Sequence, residues 1–197
     1  MRFKDLQKAV EGNIVKLFKS FYKNPAIFLT EADLQCFLYS LLINDPFLKD
    51  AFASFKYLTT KEEISKSLLI HSELEVGIRG KGKKYDISIW KPRRKIAFSD
   101  WETLIGIEIK FNRRLPAGKK TTGILGDIKS VRYNKQGYVL WLNWDREIDD
   151  SHLQVAQKFA NKYDNVKLFY LDVFSEPIKT NIDEILKTPC TCACARL

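Results

Sequence analysis

The apolar segment at residues 104–111, with the sequence LIGIEIKF, constrains the fold of this chain more than any other segment. Its composition predicts a buried β-strand, and side-chain alternation places Glu108 and Lys110 together on one face of that strand. A carboxylate on a buried strand costs several kcal/mol of free energy unless a cation or hydrogen-bond donors hold it. The chain must therefore build a polar site around this strand.

A second strand with the same character is predicted at residues 85–90, with the sequence YDISIW. Alternation places Asp86, Ser88 and Trp90 on one face, and the apolar residues between them on the other. Taken singly, these charged residues fit a structural ion pair on an edge strand and an acid at a strand mouth. Together they form a pattern in which an acid on one strand is followed, on the next strand, by an acid, any residue and a lysine. This pattern favours a functional site.

The remaining periodicities outline an α/β domain. Helical spacing marks residues 3–22, and a second helix begins at Thr30, which forms a weak capping box with Asp33 and precedes a helix ending at residues 44–46. Beyond residue 67 the pattern predicts a strand to residue 78, a turn at 79–84, strands at 85–90, 104–111, 138–144 and 166–171, and helices at 121–134 and 151–162. This order predicts a mixed sheet with helices on both faces.

The 197 residues fit one domain, predicted to span residues 1–187, with a helical part at 1–60 and a sheet core at 65–172. Cys36 lies within an apolar helical pattern and is predicted to belong to the core. The other three cysteines occupy residues 188–197, which we predict to be a disordered tail rather than an iron–sulfur or zinc site. The sequence predicts no secretory signal and no bilayer-length apolar run, so a cytoplasmic protein is expected.

The charge distribution favours a polyanionic partner. The net charge is +9, and basic residues concentrate at 79–84, 91–95 and 112–120, beside the two acid-bearing strands. A cationic surface gains affinity for nucleic acid through counterion release, although a basic composition also occurs without such a function.

Together these features resemble the PD-(D/E)XK nuclease superfamily, which has a restriction-endonuclease-like fold. The motif stands as YDISIW followed by IEIKF, with Tyr85 where the eponymous proline would be. The αβββαβ order of residues 30–143 is similar to the family core, so the resemblance covers about two thirds of the chain. It implies a three-layer core with a central mixed sheet flanked by helices, preceded by an N-terminal helical extension.

The resemblance implies a Mg²⁺-dependent DNA endonuclease, with Mn²⁺ as a possible substitute. Asp86 and Glu108 would hold the ion through carboxylate oxygens, which Mg²⁺ prefers, and the Ile109 carbonyl would be a further ligand. Lys110 would orient the attacking water and stabilise charge. Glu31 is a candidate ligand from the preceding helix, although a helix N-terminus alone explains an acid there. Glu73 and Glu75 are reserve candidates.

Basic residues near these strands are candidates for contact with nucleic acid, DNA favoured over RNA, and a homodimer is one possible assembly. These candidates are Lys83, Lys84, Arg93, Arg94, Arg113, Arg114, Lys119, Lys120, Lys129 and Arg132. Two other hypotheses remain open: a nucleic-acid-binding protein of the same fold that cleaves nothing, and a basic protein-interaction domain with an accidental motif.

Overall fold

The structure is a computed structural model that describes residues 2–49, 69–72, 75–78, 81–91, 102–112, 123–145, 147–183 and 187. Its helices are α1 (Phe3–Lys23), α2 (Glu31–Ile43), α3 (Pro46–Lys49), α4 (Ile124–Val131) and α5 (Asp150–Ala160), with a 3₁₀ turn at Pro25–Ile27. Its strands are β1 (Leu69–Ser72), β2 (Glu75–Ile78), β3 (Lys81–Lys84), β4 (Ile87–Lys91), β5 (Glu102–Phe111), β6 (Gln136–Asn143), β7 (Val166–Asp172) and β8 (Lys179–Thr180).

The two helices that the sequence predicts before the sheet, α1 and α2, are present. The apolar stripe of α1, from Leu6 to Phe21, is buried, and Pro25 prevents the helix from continuing. At the start of α2 the Asp33 amide donates to the Thr30 hydroxyl (3.2 Å), while the Thr30 amide donates to the Asp33 carboxylate (2.8 Å). The predicted capping box is therefore present and fixes where α2 begins.

Six of the described strands form one mixed sheet in the order β1-β4-β5-β6-β7-β8. The pairs β1–β4, β4–β5 and β7–β8 are antiparallel, while β5–β6 and β6–β7 are parallel and are connected through α4 and α5. Because β4 and β5 are antiparallel, the start of β4 lies beside the end of β5. The two predicted motif strands are thus adjacent, with their charged residues at the same end of the sheet.

Each face of the sheet has its own hydrophobic core. Ile105, Ile107 and Ile109 of β5 pack with α1 and α2 in one core. The other core joins α4 and α5 to residues of β4, β6 and β7, including Trp90 and Trp141. On that side Gly106 allows the Asn134 amide to approach so closely that a Cβ atom would lie 2.2 Å from it. The predicted mixed α/β architecture with helices on both faces is confirmed.

Several local predictions are wrong. The strand predicted over 67–78 divides into β1 and β2, and Lys81–Lys84, predicted as part of a turn, forms β3 and pairs with β2 outside the main sheet. The glycines suggested a turn, but only residues 79–80 separate the two strands. Cys36 is exposed rather than buried, because it lies two residues, about 200° of helical rotation, from Leu34 and Leu38.

Strand β8 was not predicted, because two residues carry no detectable alternation. Residues 188–197 and most of the 91–101 connection lie outside the described residues. Within the part of the chain that is described, no helix is long and apolar enough to cross a membrane.

Candidate active site

Four carboxylates and one ammonium group meet where β4 begins, β5 ends and the first turns of α2 and α4 approach. Glu108 and Lys110 extend from the same face of β5, as alternation predicts, and Glu31 is the first residue of α2. Asp86 immediately precedes β4, and Asp127 lies in the first turn of α4. Acidic residues at helix N-termini are stabilised there by the helix dipole.

The Lys110 ammonium group is the centre of this cluster. Its Nζ atom lies 3.3 Å from Glu31 Oε1, 3.8 Å from Asp127 Oδ2 and 4.0 Å from Glu108 Oε2. The Lys110 side chain is only 15% exposed, so water screens these interactions less than it would at an open surface. Three parts of the chain that are distant in sequence are therefore held together by one cation.

The Asp86 carboxylate is fixed by the backbone of β5. Its Oδ2 atom accepts a 2.6 Å hydrogen bond from the Ile109 amide, one residue beyond Glu108. From the other side, the Gln35 side chain of α2 donates to the Asp86 carbonyl at 2.8 Å. Since the amide and carbonyl of one strand residue point to the same edge, the Ile109 carbonyl also points toward the β4 side.

Burial is the main cause of an elevated pKa at Glu108. Removal from water, followed by the negative charges of Asp86 and Asp127, raises the pKa of Glu108 to about 9, against the opposing effect of Lys110. Burial also acts to lower the pKa of Lys110, but the surrounding carboxylates outweigh it and the net shift is upward. Clustered carboxylates with one raised pKa are typical of functional sites.

Asp127 is the site residue that the sequence analysis missed. The helix was singled out for Lys129 and Arg132, yet Asp127 occupies its buried face, three residues after Ile124 and four before Val131. Residues with i, i+3, i+7 spacing lie on one face of a helix, so an acid on this otherwise apolar face can be recognised from the sequence as a candidate site residue. Asp127 therefore joins Glu31, Asp86 and Glu108 around Lys110.

The donor chemistry of this cluster fits a hard divalent cation. Its carboxylate oxygens are the ligands that Mg²⁺ prefers, and Glu31 Oε2 is buried without a hydrogen-bond partner. Among the described residues, however, no three acidic, histidine or cysteine side chains are close enough together to ligate a metal as they stand. Lys110 lies among the carboxylates instead, so an ion would bind there only with side-chain rearrangement.

The predicted nucleic-acid contacts are only partly described. Lys84 is exposed at the end of β3, and Lys83 lies on the same strand. Lys129 of α4 lies against the ring of Phe159 on α5, and Arg132, the C-terminal capping residue of α4, lies against the ring of Tyr163. The remaining candidates lie outside the described residues: Arg93, Arg94, Arg113, Arg114, Lys119 and Lys120.

The substitution Glu108→Gln should flatten the pH dependence of stability in EDTA. An acid whose pKa is raised in the folded state stabilises the fold fully at pH values below 4.5, its usual pKa. This stabilisation is lost as the pH rises toward about 9, the pKa in the folded protein. The neutral amide does not titrate, so the stability of the variant relative to wild type should rise by about 3 kcal/mol between pH 5 and pH 7.5. Urea denaturation from pH 5 to 9 measures this, and parallel curves for the two proteins would contradict it.

Comparison of the chain with protein-family models, with curated proteins and with solved structures finds no match in any of the three.

Proposed function

We propose that this chain is a divalent-metal-dependent nuclease of the PD-(D/E)XK type, with a restriction-endonuclease-like fold, acting most readily on DNA. The single observation that carries the proposal is the convergence of Glu31, Asp86, Glu108 and Asp127 on Lys110 at the junction of β4 and β5. A purely structural lysine needs one or two carboxylate partners, and a buried acid such as Glu108 is costly to retain.

Each side chain has a distinct part in this proposal. A bound Mg²⁺ ion supplies Lewis-acid polarisation of a phosphate and acidifies a bound water. Asp86, held by the Ile109 amide, and Glu108 would supply carboxylate oxygens to the ion once side chains rearrange, with the Ile109 carbonyl on the same edge of β5. Glu31 and Asp127 approach from the helical layers on opposite faces of the sheet and complete the acidic set.

Lys110 contributes a positive charge beside these carboxylates. Its raised pKa keeps it protonated at neutral pH, so in the proposed site it donates hydrogen bonds and stabilises developing negative charge on a phosphate oxygen. The chain's surplus of basic residues, with a net charge of +9, supports attraction of a polyanionic substrate.

The proposal is tested by incubating the wild-type protein with plasmid, linear duplex DNA, single-stranded DNA and RNA. Each reaction contains Mg²⁺, Mn²⁺ or EDTA. We expect cleavage of at least one DNA substrate with either metal and none in EDTA. Thermal denaturation with and without Mg²⁺ provides a second readout, in which the ion should raise the Tm.

Three outcomes have different meanings for the proposal. Equal cleavage in EDTA would exclude a metal-dependent mechanism. Absence of cleavage on every substrate, together with an unchanged Tm, would overturn the nuclease assignment. If salt-sensitive DNA binding persisted in that case, a non-cleaving nucleic-acid-binding protein would be the better description.

A further inference from the structure

The outer side of α4 and α5 carries basic side chains interleaved with aromatic rings. We call this the aromatic–basic surface, and it consists of Lys129, Arg132, Tyr133, Phe159, Lys162 and Tyr163. Two of these residues lie on α4 or at its end, and Tyr133 follows directly. The other three lie on α5 or immediately after it, and the two helices are in contact.

Arg132 occupies the middle of this surface, between two tyrosines. Its guanidinium carbon lies 4.7 Å from the centroid of the Tyr133 ring and 5.3 Å from that of Tyr163. It also donates hydrogen bonds to both phenol oxygens, at 2.7 Å for Tyr133 and 3.0 Å for Tyr163. Tyr133 nevertheless remains 53% exposed, so this ring presents a large part of its area to solvent.

Two lysines flank the third ring. The Nζ atoms of Lys129 and Lys162 lie 5.6 Å and 5.3 Å from the centroid of the Phe159 ring, and Lys162 is exposed. Cation–π contacts at exposed sites contribute only about 0.5–1 kcal/mol each, so they leave these ammonium groups available to a phosphate. The surface thus offers three positive charges spaced among rings.

Helix α4 connects this surface to the candidate active site. Its first turn carries Asp127, 3.8 Å from Lys110, and Arg132 follows five residues later, about 7 Å along the helix axis. Lys129 lies between them. On the helix, Lys129 and Arg132 lie about 160° and about 140° around the axis from Asp127, so a strand bound to this surface has to turn around α4 to reach the carboxylates.

We propose that the aromatic–basic surface binds an unpaired strand of nucleic acid, which makes a single-stranded region the substrate of the nuclease proposed above. Phosphates pair with Lys129, Arg132 and Lys162, while bases stack on the exposed Tyr133 ring and on the uncovered parts of the half-buried Phe159 and Tyr163 rings. Bases within a duplex are already stacked on one another, so these rings favour an unpaired strand. An acidic peptide would use the charges but not the rings.

Binding is measured by fluorescence anisotropy in EDTA, so that the readout does not depend on cleavage. The probes are a labelled single-stranded oligonucleotide and a duplex of the same sequence, with polyglutamate as competitor. We expect tighter binding of the single strand and little competition by polyglutamate. Tyr133→Ala should weaken single-strand binding about 10-fold, since stacking contributes about 1–3 kcal/mol per base, while Tyr133→Phe should retain it.

Matched variants on the opposite helical layer serve as controls. Phe47→Ala removes an aromatic ring of similar exposure (48%) from α3, and Lys4→Ala removes an exposed charge from α1. Both should bind like wild type. The double variant Lys129→Ala/Lys162→Ala should reduce the slope of log affinity against log salt by about 1.4, because each phosphate contact to a single strand contributes about 0.7.

The inference fails if Tyr133→Ala binds the single strand like Phe47→Ala while its thermal unfolding is unchanged. It also fails if the duplex binds as tightly as the single strand, or if polyglutamate competes as well as the oligonucleotide. Loss of metal-dependent cleavage with this binding intact would instead count against the proposed nuclease activity alone.

Discussion

Replacing Asp86 by Asn is expected to slow metal-dependent cleavage at least about 100-fold while leaving the fold intact. The amide removes the negative charge that a cation needs, but its oxygen can still accept the hydrogen bond from the Ile109 amide. The junction between β4 and β5 should therefore be preserved. Single-turnover cleavage with Mg²⁺ measures the rate, and urea denaturation confirms that stability has not fallen.

Glu147→Gln is the matched control for this variant. Glu147 is 62% exposed and pairs with Lys179 at 2.8 Å, outside the candidate site. The substitution therefore removes the same charge and should leave cleavage unchanged. Mg²⁺ should raise the Tm of the control, as in wild type, and should not raise that of Asp86→Asn. Full cleavage by Asp86→Asn would exclude Asp86 from the site and with it the proposed mechanism.

Alternation along two strands predicted the central part of the candidate site. Glu108 and Lys110 share a face because the alternating Ile107 and Ile109 of β5 pack into the core against α1 and α2. The antiparallel pairing of β4 and β5 then brings Asp86 beside Glu108. These relationships depend on a period of two and on strand adjacency, both of which can be recognised in a sequence.

The convergence of the two helices on Lys110 was harder to predict. Glu31 and Lys110 are 79 residues apart, and their contact depends on how α2 packs across the sheet, which no local pattern specifies. Asp127 was recognisable as an acid on an apolar face, but its distance from Lys110 depends on the crossover from β5 through α4 to β6. Tertiary packing, rather than propensity, completes the cluster.

Lys110→Met is expected to destabilise the metal-free protein by about 3 kcal/mol at pH 7.5, because it leaves a cluster of carboxylates without their shared cation. The pKa of Lys110 is raised by those carboxylates. A lysine whose pKa is raised by folding stabilises the fold fully at pH values below its pKa in the unfolded chain, about 10.4. This stabilisation is lost at pH values above its pKa in the folded protein. The loss in the variant should shrink in acid, because a protonated carboxyl group no longer needs a cation beside it.

Lys179→Met is the control, since Lys179 is similarly buried (18% exposed) and pairs with Glu147 and Asp150, each at 2.8 Å. Those two acids are 62% and 72% exposed, so water screens them and the substitution should cost less than about 1 kcal/mol.

Urea denaturation with and without Mg²⁺ separates the two cases. The ion should restore part of the stability of Lys110→Met and none of that of Lys179→Met, because only the first variant leaves clustered carboxylates for a divalent cation to neutralise. Equal losses in the two variants, with no response to Mg²⁺, would mean that the Lys110 cluster is an ordinary surface ion pair and holds no cation.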